Sequence, residues 1–76
     1  MRKYLARRRA IQAVVREIRE AAGFSQRELS AVLKEGNTYM WEIEHGQHGV
    51  RVEELIAIAE ACDRDPLEVL RLILSR

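Results

Sequence analysis

A chain of 76 residues makes one domain, residues 1–76, and its core must be efficient, because a domain near this size hides only about 60% of the surface its unfolded chain exposes. The 47% hydrophobic and 33% charged content is an ordinary globular balance. It includes no apolar run near the ~18 residues of a membrane span, and the basic stretch Met1–Arg9 lacks the apolar segment and cleavage site of a secretory signal. The net charge of +1 by itself indicates nothing about nucleic acid, and the lone Cys62 excludes an internal disulfide, so a cytoplasmic location is expected.

Apolar residues fall at helical rather than alternating spacing, and the chain is read as all-α. Residues 1–9 form a basic N-terminal extension or helix start. Ile11, Val14, Val15, Ile18 and Ala22 then follow the i, i+3, i+4, i+7 stripe of a buried helix face, which Gly23 stops. Ser25 and Glu28 form an S-x-x-E capping box opening a second helix, with Leu29, Val32 and Leu33 on its apolar face. Lys34-Glu35-Gly36 breaks that pattern. A third short helix, from about Asn37 to His45, turns Met40 and Ile43 inward, and a polar loop with two glycines, Gly46–Gly49, follows. A fourth helix, from about Val52 to Ala61, carries Leu55, Ile56, Ile58, Ala59 and Cys62 toward the core.

The last helix, residues 65–76, has the clearest start: Asp65 as N-cap, Pro66 as first helical residue, Glu68 three after the cap. Its six apolar residues, Leu67, Val69, Leu70, Leu72, Ile73 and Leu74, cover more than one face. One face meets the core and the other needs a partner. A homodimer through Val69, Leu72 and Ile73 is expected.

Two short helices joined by a tight turn within five helices is the helix-turn-helix plan. The stretch F-S-Q-R-E-L-S-A-V-L-K-E-G-N-T-Y-M-W-E-I-E-H-G, residues 24–46, resembles the phage Cro/repressor family of helix-turn-helix domains, also called the Xre type. Ser25-Gln26, Glu28-Leu29, Leu33, Ile43-Glu44 and Gly46 fall where that family has S-Q, E-L, L, I-E and G. The likeness continues through residues 52–61 and 65–70, and upstream to Ile18-Arg19 and Gly23, covering roughly residues 11–70. It implies a five-helix Cro/repressor-like domain whose second and third helices form the motif. It also implies an internal ion pair, Arg19 with Glu44. Ser30 is small where the two motif helices cross, and Leu29, Leu33, Met40 and Ile43 form the wedge between them. The chain departs from the family at Lys34, where Gly is usual, so that a positive φ there carries a penalty. Gly36 is the expected cap of the recognition helix. Glu35 and Glu42 stand where the family often has an apolar residue and a Lys or Arg.

The charge distribution is either a positive face for a polyanion or a set of solvated helix faces. Residues 1–34 hold nine Lys/Arg and three Glu, +6, and residues 35–76 hold four Arg and nine Asp/Glu, −5. The resemblance implies a sequence-specific, double-stranded-DNA-binding transcriptional regulator, a repressor in the manner of phage regulators, on an inverted-repeat operator. Base edges would be met by Asn37 (adenine), Thr38 (a thymine methyl), Glu42 (cytosine N4) and Trp41 (sugar or a thymine methyl), with Trp41 otherwise covering the domain's own edge. Phosphates would be met by Gln26, Tyr39 through its hydroxyl, and the loop residues His45, Gln47, His48 and Arg51. Arg2, Lys3, Arg7, Arg8 and Arg9 are either a phosphate-reaching arm or a solvated basic face. His45-x-x-His48 lacks the further ligands a zinc site needs, so no metal and no cofactor are expected. Without a Gly-rich phosphate loop or a nucleophile set, no enzyme activity is expected either. The alternative is a protein-interaction module, an antitoxin or scaffold with a protein partner and little DNA binding.

Overall fold

Five apolar stripes become five helices. In the computed structural model, which describes residues 2–76, they run α1 (Arg2–Ala21), α2 (Gln26–Val32), α3 (Tyr39–Glu44), α4 (Val52–Ala61) and α5 (Pro66–Leu74), with no strand among the described residues. Arg2–Arg9 belong to α1, since nothing in that stretch breaks a helix, and Met1 lies outside the described residues.

Both expected start signals operate. The Glu28 amide donates to Ser25 Oγ at 3.0 Å while the Ser25 amide donates to Glu28 Oε1 at 2.7 Å. At α5 the Leu67 amide donates to Asp65 Oδ1 at 2.9 Å with Pro66 in the first turn, and Glu68 instead takes the Arg64 guanidinium. The start of α3 differs from expectation. Thr38, not Gly36, is its N-cap, and the helix begins two residues after Asn37, because the Tyr39 amide closes a turn onto Gly36 O at 3.1 Å.

Helices α1 to α4 end alike. The amide of the first residue past the cap bonds three residues back, and the next amide bonds five back: Gly23 to Glu20 and Phe24 to Arg19, Lys34 to Ala31 and Glu35 to Ser30, Gly46 to Ile43 and Gln47 to Glu42, Asp63 to Glu60 and Arg64 to Ala59. This Schellman geometry requires a left-handed residue, here Gly23, Lys34, Gly46 and Asp63 with φ between +58° and +82°. The turn of the motif therefore keeps its shape and places the strain on Lys34. Ala22, read as part of the α1 stripe, lies beyond the helix and is exposed.

Helix α1 packs against α3, α4 and α5, while α2 pairs with α3 and α4 with α5. Val14, Val15, Ile18, Leu29, Met40, Ile43, Ile58 and Ala59 are fully or almost fully buried, with Cys62 beside them. Burial pushes the Cys62 thiol pKa up. Ile56, expected inward, is 40% exposed.

One expectation is overturned. Val69 and Ile73, assigned to a dimer surface, lie in the core at 0% and 3% exposure, and Leu72 is half-buried against it. Spaced i, i+4, Val69 and Ile73 share the inward face of α5. The outward apolar face is Leu67, Leu70 and Leu74, exposed by 64%, 43% and 53%. Periodicity finds two apolar stripes here and cannot choose which one faces in. No described helix is long and apolar enough to cross a membrane.

Candidate nucleic-acid interface

Three directional contacts orient α3. Ser30 Oγ, fully buried, donates to Gln26 O at 2.8 Å and accepts the Met40 amide at 3.1 Å, which satisfies one donor at the start of α3. Small size lets the helices approach, and the hydroxyl then binds them together.

The second contact is a fork-to-fork ion pair, Arg19 Nε to Glu44 Oε2 at 2.6 Å and Nη2 to Oε1 at 3.0 Å. Both side chains are buried, and Arg19 Nη1 also donates to Phe24 O at 2.8 Å, closing the loop between α1 and α2.

The third contact joins α3 to α4. Tyr39 Oη donates to Glu54 Oε2 at 2.6 Å, His48 Nε2 lies 3.0 Å from the same oxygen, and the Arg51 amide donates to Oε1 at 2.9 Å. Burial first, and the adjacent Glu54 carboxylate second, push the Tyr39 pKa well up. Burial also pushes Glu54 upward, but the Tyr39 hydroxyl, the Arg51 amide and His48 outweigh it and hold Glu54 below the usual carboxylate range.

The opposite side of α3 is open. Asn37, Thr38 and Trp41 are exposed and Glu42 is half-buried. Thr38 Oγ1 donates to Glu42 Oε2 at 3.1 Å. The Trp41 and His45 rings stack with centroids 4.0 Å apart and 15° between planes. His45 Nδ1 lies 2.8 Å from Trp41 O; a carbonyl only accepts, so the proton is on Nδ1 and Nε2 is left for another partner. The loop after α3 is seated on α1. Gly46 has φ +76°, a Cβ there would stand 2.7 Å from Gln12 Nε2, and Arg8 Nη2 donates to Gly46 O at 3.3 Å.

The helix-turn-helix domain family matches residues 12–72. Among solved structures, the chain resembles an XRE-family like protein from Pseudomonas syringae pv. tomato str. DC3000, with a TM-score of 0.86 and 26% identity over 95% of this chain and 88% of that one. No curated protein matches. The chain belongs to the Xre-type helix-turn-helix family. Family and fold together point to a DNA-binding regulator.

Within this Xre-type domain the expected base-reading set, Asn37, Thr38, Trp41 and Glu42, shares one side of the motif. The expected phosphate set divides. Gln26 and His45 line a single polar depression with Arg16, Arg19 and Glu44, although the Gln26 amide nitrogen is held by Glu44 Oε1 at 3.1 Å. Gln47 and Arg51 are exposed. Tyr39 and His48 depart from expectation: both turn to Glu54, so the Tyr39 hydroxyl is committed to a carboxylate rather than offered outward. Arg7 Nη1 reaches Leu74 O at 3.2 Å and Arg8 reaches Gly46 O, so both brace the fold.

Arg16, which lines the same depression, has no place in the sequence reading, which gives roles on this helix to the apolar stripe, to Arg19 and to the basic residues 2–9; its spacing of three residues from Arg19 is the available signal. Among the described residues no group of three or more His, Cys, Asp or Glu is placed to hold a metal.

Proposed function

We propose that this Xre-type protein is a sequence-specific transcriptional regulator that binds an inverted-repeat operator as a homodimer. The observation that carries the reading is the two-sidedness of α3: Arg19, Ser30 and Glu54 fix its inner face, while Asn37, Thr38, Trp41 and Glu42 stand on the other. A base-reading helix needs that combination, since hydrogen bonds to base edges fail when the helix tilts. Arg16, with Gln47 and Arg51 in the following loop, takes the flanking phosphates and sets the register. Dimerisation uses the outward stripe Leu67, Leu70 and Leu74, and places two recognition helices about 34 Å apart on successive major grooves. Repression is the mode that the resemblance to phage regulators implies.

Selection of bound sequences from random duplex DNA at about 150 mM salt tests the reading, because phosphate-driven affinity varies steeply with salt. An inverted repeat should emerge from the wild type and vanish with Asn37→Ala combined with Thr38→Ala. Failure to enrich any sequence moves the function to a protein-interaction module. The apolar stripe of α5 favours that second reading, with a partner protein seated where the second copy would be.

A further inference from the structure

Helix α3 carries two carboxylates with opposite fates. Glu44 is buried and consumed by Arg19 and Gln26. Glu42 sits on the open side, and among the described residues no cation pairs with it. Its main chain is nevertheless firmly anchored. The Glu42 amide donates to Thr38 O at 2.8 Å, and its carbonyl accepts the amides of Gln47 at 2.8 Å and His48 at 3.2 Å. Its side chain is anchored at one oxygen only, Oε2, by the Thr38 hydroxyl at 3.1 Å. Thr38 is the N-cap of α3 but makes no capping bond with its side chain; the hydroxyl is spent on Glu42 instead.

Such a carboxylate has one oxygen held and one offered, and it can only accept. In the major groove guanine presents O6 and N7 and thymine O4, all acceptors that a carboxylate repels. In the paired duplex the adenine N6 amine stands between two acceptors, its own N7 and the thymine O4, while the cytosine N4 amine has an acceptor, guanine O6, on one side only. We propose that Glu42, positioned by Thr38, selects a cytosine at one fixed position of each half-site. The inference rests on α3 being the base-reading helix. The same carboxylate repels every phosphate backbone alike, so it weakens binding to unmatched DNA and sharpens the contrast with the matched site.

The test repeats the bound-sequence selection with Glu42→Gln, Thr38→Val and Thr38→Ser beside the wild type, at one salt concentration, with thermal melting to verify folding. The wild type should prefer cytosine about tenfold at one position per half-site. Glu42→Gln should move that preference to adenine, which a glutamine amide bonds at both N6 and N7. Thr38→Val should blunt the cytosine preference and Thr38→Ser should retain it. An inverted repeat whose bases are the same with Glu42→Gln, bound more tightly on all sequences, overturns the inference and leaves the regulator standing; the carboxylate is then only an electrostatic brake. A cytosine preference undiminished in Thr38→Val removes Thr38 from the reading unit. No enriched sequence from the wild type overturns both proposals.

Discussion

Helices α3 and α5 are both short and amphipathic, yet different forces hold them. Helix α3 is fixed by directional bonds from three other elements, α1 through Arg19, α2 through Ser30 and α4 through Glu54. Helix α5 has Val69 and Ile73 in the core, a non-directional contact of roughly 1.5–3 kcal/mol per side chain, and its directional bonds, Arg7 to Leu74 O and Arg76 to Glu17, are exposed and confined to its C-terminal end. The difference matches the roles proposed for the two helices. A helix that aligns side chains with base edges tolerates little rotation, and hydrogen bonds resist rotation where apolar packing yields. A helix that presents Leu67, Leu70 and Leu74 to another apolar surface needs only to stay in place.

The largest expected effect is on the α3 side. Arg19→Ala leaves the Glu44 carboxylate buried and unpaired, and should cost about 3–5 kcal/mol of unfolding free energy by urea titration. Replacing both members with apolar residues should cost much less; an equal cost would mean the pair acts through packing alone.

The next two variants separate the faces of α5. Ile73→Ala should lower stability by about 2–4 kcal/mol through lost burial and a residual cavity. Leu70→Ser should change monomer stability by no more than about 0.5 kcal/mol, as exposed sites do, while sedimentation should show the proposed dimer dissociating. A dimer unaffected by Leu70→Ser would place the self-association surface elsewhere.

Acid should loosen the contact between α3 and α4. Glu54 is held below its ordinary pKa in the folded state, so its contribution is complete above the unfolded value of about 4.3 and is lost as pH falls through the lower folded value. Unfolding free energy measured from pH 6 to pH 3 should therefore fall, and Glu54→Gln should flatten that decline. The smallest effect is a gain. Lys34→Gly relieves a side chain held at φ +59° and should stabilise the protein by about 0.5–1 kcal/mol without altering DNA selection. Asp63→Gly should gain less, because aspartate tolerates that conformation better.

The cap signals were legible because their partners lie within four residues: Ser25 with Glu28, and Asp65 with the Leu67 amide. The Arg19–Glu44 pair, 25 residues apart, was legible only through family resemblance, and nothing local announced it. The start of α3 was misplaced by two residues because Gly36 resembles a cap in sequence, while the turn closing on its carbonyl pushes the helix to Tyr39. The committed hydroxyl of Tyr39 was also hidden, since Glu54 is 15 residues away on another helix.

By itself, then, the sequence determined the number of helices, most of their ends and the polar set Asn37, Thr38, Trp41 and Glu42 on α3 and the turn before it, because spacing and capping are local physics. Only the tertiary structure decided which leucine stripe of α5 stays outside, and that Tyr39 and His48 serve Glu54 rather than facing outward. Those choices depend on where one helix lies against another, and no short stretch of chain contains that information.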